Sequence, residues 1–141
     1  MKFGKLRTLR GQITVAGGAG KKALITADGL INYGLKIESF RIWPSVNNAT
    51  TSKWFGILSL NTIIAASEMN AGDNRQIGWN YIDHGYGAER TILDPDHVVN
   101  RDLALNITGT NATYNYLIEA RVVELTDDEA IVTIIKETSQ S

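Results

Sequence analysis

The sequence predicts a mainly β fold: an antiparallel β-sandwich or barrel, jelly-roll-like, with an extended basic N-terminal arm and a short C-terminal helix. Three observations carry this expectation. Short apolar runs with period-two alternation recur along the chain, as at Leu103, Leu105 and Ile107 and again at Tyr114, Tyr116 and Ile118. Turn signals rich in Gly, Asn and Asp separate these runs about every ten residues, the spacing of sandwich and barrel folds. Runs of helical period do not alternate with the strands, which argues against βαβ units and a parallel sheet.

The first segment, residues 1–22, reads as an arm with a glycine-rich hinge. Asp28 is the first acidic residue, so residues 1–27 carry a formal +6 while the other 114 carry −7. A basic segment on an acidic body is expected to reach an oppositely charged partner. Within it, Phe3, Leu6 and Leu9 recur at spacing three among Lys2, Lys5, Arg7 and Arg10. Apolar anchors set between cations make these seven residues the expected assembly element. The tract Ala16-Gly17-Gly18-Ala19-Gly20 supplies the hinge, flanked by short apolar runs at 12–15 and 23–26.

Residues 23–125 are the expected sandwich body. In the run 35–43, Leu35 and Ile37 alternate with Lys36 and Glu38, after which Phe40 and Ile42 alternate with Arg41 and Trp43. That change of phase predicts a bulge near Ser39. Pro44 ends the strand, and apolar runs follow at 54–60 and 62–65. Asn70-Ala71-Gly72-Asp73-Asn74 is the strongest tight-turn signal and leads into a strand over 76–82. Loops are expected at 83–87 and around Asp94-Pro95-Asp96. Strands over 102–108 and 114–125, separated by Gly109-Thr110-Asn111, read as a β-hairpin with a slightly long loop. Residues 126–141 are expected to form a helix and tail. Thr126 and Glu129 have capping-box spacing, Asp127 and Asp128 suit the positive end, and Ile131, Ile134 and Ile135 form a stripe. The β-branched run 131–135 is the competing strand signal.

Composition bounds the function. The length of 141 residues suits one domain with a hydrophobic core, and cysteine is absent, which removes disulfides and thiolate chemistry. No apolar run of membrane-span or signal-peptide length is present, so a soluble protein without membrane partners is expected. The glycine tract fails the phosphate-loop pattern, since Val15 stands at the first glycine position and Lys22 where Ser or Thr is required. Gly18-Ala19-Gly20-Lys21-Lys22-Ala23 is nearer the dinucleotide fingerprint, but the Asp28-Gly29 turn leaves no room for the helix that must hold the pyrophosphate. His84 and His97 stand among Asp83, Asp94, Asp96 and Asp102 without zinc or calcium spacing, so turn-capping carboxylates and surface histidines are expected, and no metal. With no Gly-x-Ser-x-Gly elbow either, the expectation is no enzyme and no cofactor. Trp43, Trp54 and Trp79 fall on strands, where they fill a core or interface or form an exposed ligand face.

The segment Leu93-Asp94-Pro95-Asp96-His97-Val98-Val99-Asn100-Arg101-Asp102-Leu103 resembles one in small structural proteins of tailed phages, and Glu124-Leu125-Thr126-Asp127-Asp128-Glu129-Ala130 is similar too. The likeness covers the C-terminal third. It implies a virion component, with a capsid decoration, cement or minor capsid protein as the expected role and another head-tail or tail subunit as an alternative. Partners would be the major capsid protein or other virion subunits together with further copies of the chain, a trimer among them. Nucleic acid is not the expected partner, because a body of −7 repels phosphate. The alternative from a different class is a carbohydrate- or surface-binding module that uses exposed tryptophans.

Overall fold

The structure, a computed structural model, describes residues 2–24, 33–46, 53–60, 68–83, 88–95, 97–99 and 102–126. These residues form nine strands: β1 Lys2–Thr14, β2 Ala19–Leu24, β3 Tyr33–Pro44, β4 Trp54–Ser59, β5 Gln76–Asp83, β6 Ala88–Leu93, β7 Val98–Val99, β8 Leu103–Gly109 and β9 Thr113–Glu124. They make two antiparallel sheets. Sheet A runs β1-β9-β3-β7 and sheet B runs β2-β8-β4-β5-β6. Pairing is nested from the outside of the sequence inward: β1 with β9, β2 with β8, β3 with β7, β4 with β5. Among the described residues the sheets stay open at their edges, so no closed barrel is formed.

Several expectations need correction or a boundary. The basic N-terminal segment is not a free arm: residues 2–14 pair with β9 along their length and residues 19–24 pair with β8. The supposed hinge is a tight turn closed by an Ala16–Ala19 bridge, with Gly17 and Gly18 both at positive φ, 66° and 85°. Two consecutive positive-φ residues are the mark of a type I′ turn, which glycine adopts without strain. This also removes the dinucleotide reading, since a strand stands where the helix would open. The 102–108 and 114–125 strands exist, but they are not a hairpin. β8 lies between β2 and β4, and the chain crosses at 110–112 to the middle of sheet A. Hydrogen bonds from Gly109 N to Gly18 O, Thr110 N to Lys53 O and Val15 N to Ala112 O hold that crossing, and Tyr114 Oη donates to Thr110 O at 2.8 Å. The expected helix beyond Thr126 and the run 62–65 lie outside the described residues.

One core lies between the sheets. Ile13, Leu35, Ile37, Phe40, Ile42, Tyr114, Tyr116 and Ile118 from sheet A meet Leu24, Trp54, Leu58, Leu103, Leu105 and Ile107 from sheet B. The bulge expected near Ser39 is present as a register shift between Ile37 and Ser39. It lets Leu35 and Ile37, then Phe40 and Ile42, all turn inward from one strand. Gly56 makes room for this, because a Cβ there would lie 2.7 Å from Ile42 Cδ1. Val98, Val123 and Leu125 form a smaller buried cluster of their own.

The sheets are also tied by polar bonds. β7 reaches only Leu35 and Lys36, so beyond them β3 has no strand on that side among the described residues. Sheet B covers the gap. Buried Asn80 on β5 accepts from Ile42 N through Oδ1 at 2.8 Å and donates through Nδ2 to Thr91 Oγ1 at 2.7 Å and Glu89 Oε1 at 2.9 Å. Thr91 Oγ1 in turn donates to Phe40 O at 3.1 Å. A buried edge that would otherwise be costly is thereby satisfied. At the 70–74 turn, Asn70 Oδ1 accepts from Gly72 N, and Gln76 Oε1 accepts from both Asn70 N and Trp79 Nε1. Asp73 takes three bonds from Arg75 at 2.7–3.0 Å, and the side-chain bonds hold its carboxyl below the ordinary 3.8.

Two outcomes follow. Asn80→Ala is expected to cost about 2–3 kcal/mol in urea unfolding, with Thr91→Val costing about 1 and the two coupled in a double-mutant cycle. Asp73 has a depressed folded value, so its stabilisation is complete above 3.8 and is lost as pH falls through the lower value. The Tm difference between wild type and Asp73→Asn should therefore shrink on acidification below the ordinary value and stay constant above it.

Candidate functional site

The seven residues expected to act in assembly sit on β1, an edge strand of sheet A. Cross-strand partners share a face, so the inward Tyr114, Tyr116, Ile118 and Ala120 of β9 place Ile13, Gly11, Leu9 and Arg7 on the core side. Leu6, Thr8, Arg10, Gln12 and Thr14 take the outer side. Leu9 packs partly against the core. Phe3 and Leu6 do not; they are 62% and 48% exposed, on either side of a register irregularity. Lys5, Arg7 and Arg10 are exposed as well, and Lys2 opens the strand opposite Glu124. Among the described residues no strand lies on the other side of β1. A thirteen-residue edge of this kind presents a row of backbone donors and acceptors, with exposed apolar anchors and cations along it.

The outer face of sheet A continues from β1 across β9 to β3 in register. Gln12, Asn115 and Trp43 form one cross-strand row, and Arg10, Leu117 and Arg41 form the next. Gln12 Nε2 donates to Asn115 Oδ1 at 2.9 Å, and the Thr14 and Thr113 hydroxyls stand 3.2 Å apart one row further on. Arg121 is anchored differently, donating to Glu38 Oε1 at 2.8 Å and to Gly4 O at 3.1 Å; its bonds to Glu38 stabilise the charged guanidinium. Burial pushes the Tyr114 phenol up from its usual value, consistent with a donor held under the crossover.

The three tryptophans are not brought together. Trp43 lies on the outer face of sheet A and is 42% exposed, whereas Trp54 is 6% exposed and belongs to the core. Trp79 is half-buried on the opposite side of the molecule, cross-strand from Ile57 and Ile92, with its indole N–H held by Gln76. Sequence reasoning missed an aromatic pair, Phe55 and Tyr81, which face each other across β4 and β5. With Trp54, Met69, Lys53 and Thr108 they line a cleft of about 220 Å³. Only the register reveals this pair, because Phe55 and Tyr81 stand twenty-six positions apart.

The histidine and aspartate group is described only in part. His97 is buried beside β7, and His84 and Asp96 lie outside the described residues. Among the described residues no three metal-ligating side chains converge.

Exposure differs enough among the indoles to be read in solution. Acrylamide quenching should act mainly on Trp43, so Trp43→Phe is expected to remove most of the quenchable emission, while Trp54→Phe should leave it nearly intact. No family model, no curated protein and no solved structure matches this chain.

Proposed function

We propose that this chain is a structural subunit of a virus particle, a capsid decoration, cement or minor capsid protein that docks through β1 to the capsid lattice and to neighbouring copies. The observation that carries the reading is the β1 edge: a long strand, open on one side among the described residues, bearing exposed Phe3 and Leu6 together with exposed Lys5, Arg7 and Arg10. Strand addition at such an edge uses main-chain bonds for affinity and side chains for choice of partner. The nested pairing favours the same reading. Pairing from the outside inward, with strands exchanging between two sheets, is the connectivity of a rolled-up antiparallel hairpin, a jelly-roll sandwich, with β6 as an additional edge strand. Viral capsid subunits and lectins are both built on that plan. Fold alone does not assign function, and the edge chemistry is what favours a shell subunit.

The docking element in this reading is a built sheet edge in place of a mobile arm. It accepts an extended, acidic strand, because self-pairing of β1 would set Lys5, Arg7 and Arg10 against their own copies. A neighbour would thus contribute a different edge, giving a head-to-tail contact of the kind that closes into rings such as trimers.

Sedimentation equilibrium tests this directly. The wild-type chain should associate at about 0.05 M salt and dissociate toward monomer at about 0.5 M. Reversing three charges (Lys5→Glu, Arg7→Glu and Arg10→Glu) should weaken association at least about tenfold, ~1.4 kcal/mol. A wild-type chain that stays monomeric at every concentration and at both salt levels would overturn docking through copies of itself.

A further inference from the structure

We propose that the outer face of sheet A around Trp43 is a binding platform for an acidic glycan. The argument starts from register. β1, β9 and β3 place Gln12, Asn115 and Trp43 side by side, with Arg10, Leu117 and Arg41 in the adjacent row. The indole is 42% exposed on this outer face. A pyranose ring has one face of C–H bonds whose partial positive charge suits the negative face of an aromatic ring. Gln12 Nε2 is spent on Asn115 Oδ1, which couples the two side chains beside the indole and leaves one carboxamide with donors and the other with an acceptor to offer. Pre-bonded polar side chains of this sort recognise a ligand with less ordering cost than free ones.

Charge selects the class of sugar. Arg10 and Arg41 flank Leu117 from the two neighbouring strands, so their backbones stand about 10 Å apart, two strand spacings. Guanidinium groups bind carboxylates through paired hydrogen bonds. Arg41 makes only a loose contact of 3.8 Å with Glu89, and its side chain is 66% exposed, so it is available for exchange. A uronic-acid glycan offers both features at once: a stackable ring and carboxylates set at intervals along the chain. A nucleic-acid strand suits the face less well. Single-strand binders line up several aromatic platforms in a continuous positive groove. Here a single indole is exposed beside two arginines, which suits one ring and its carboxylate better than a continuous run of stacked bases.

Affinity electrophoresis in native gels containing hyaluronate, alginate or dextran is the test, with oligothymidine in a parallel mobility-shift assay. Retardation is expected with hyaluronate or alginate and not with neutral dextran. Trp43→Ala should weaken it at least tenfold, and Arg41→Gln should lower it toward the dextran level. Both changes lie on an exposed face, and unchanged thermal unfolding will confirm that the variants are folded. No retardation by either acidic glycan overturns the proposal, as does retardation that persists in Trp43→Ala. A stronger shift with oligothymidine transfers the face to nucleic acid and overturns it too. Neither variant touches the exposed cations of β1, so sedimentation of the same samples separates this outcome from that of the shell-subunit reading: a loss of association in Trp43→Ala without loss of glycan binding makes the face a subunit interface instead.

Discussion

The carboxamide of Asn80 is the point on which the arrangement of the two sheets turns. β3 leaves its partner β7 after two residues, and Ile42 N and Phe40 O then face a side of the sheet where no strand follows among the described residues. Asn80 and Thr91 supply the missing acceptor and donor from the other sheet. The same bonds hold β3 in a fixed phase. With Phe40 and Ile42 directed inward, Arg41 and Trp43 must point out, because successive residues of a strand alternate. Closing this edge has a second effect. It hides one row of backbone groups that another chain could have paired with, and leaves β1 as the long unpaired edge of sheet A among the described residues.

Charge distribution acquires a different meaning once the fold is known. The +6 at the start of the chain does not float beside an acidic body. It is distributed over an edge strand of each sheet, so the cations line one end of the molecule. Arg10 faces outward beside Leu117, whereas Lys22 lies over the ring of Tyr116 at 5.5 Å from its centroid. One segment therefore serves two sheets, and the turn at Gly17-Gly18 is the device that allows it. The outer face of sheet A and its edge, unpaired among the described residues, meet on β1, so the docking and the ligand binding proposed above would lie within reach of one another.

Local pattern made several elements legible. The Ser39 bulge was readable because a phase change cannot be absorbed in a regular strand that buries one face. The inward faces of β8 and β9 and the 70–74 turn were readable for the same kind of reason. What local pattern does not contain is partnership. β8 and β9 are consecutive, alternating and separated by a turn signal, yet the middle of each sheet claims one of them. β6 went unrecognised because five of its six residues are exposed and it has no alternation to show, while β7 is two residues long. The arm failed as an expectation because its glycines are equally good hinge and turn residues, and only pairing distinguishes the two. Trp43, Trp54 and Trp79 were visible as candidates, but their separation onto an outer face, the core and the opposite face depends on register.

The nested pairing has a consequence for the order of events at the ribosome. Sheet A is organised around β9, which holds β1 on one side and most of β3 on the other. Translation delivers β1 first and β9 last among the described strands. For the whole time that residues 15–112 are being made, β1 has no partner in its sheet, with Phe3, Leu6 and Leu9 in the open. Loops that long close slowly and reward the chain only at the end. Nascent copies on one message are thus exposed to each other through their unpaired first strands, and the cations there, by mutual repulsion, keep those strands apart until their own ninth strand arrives.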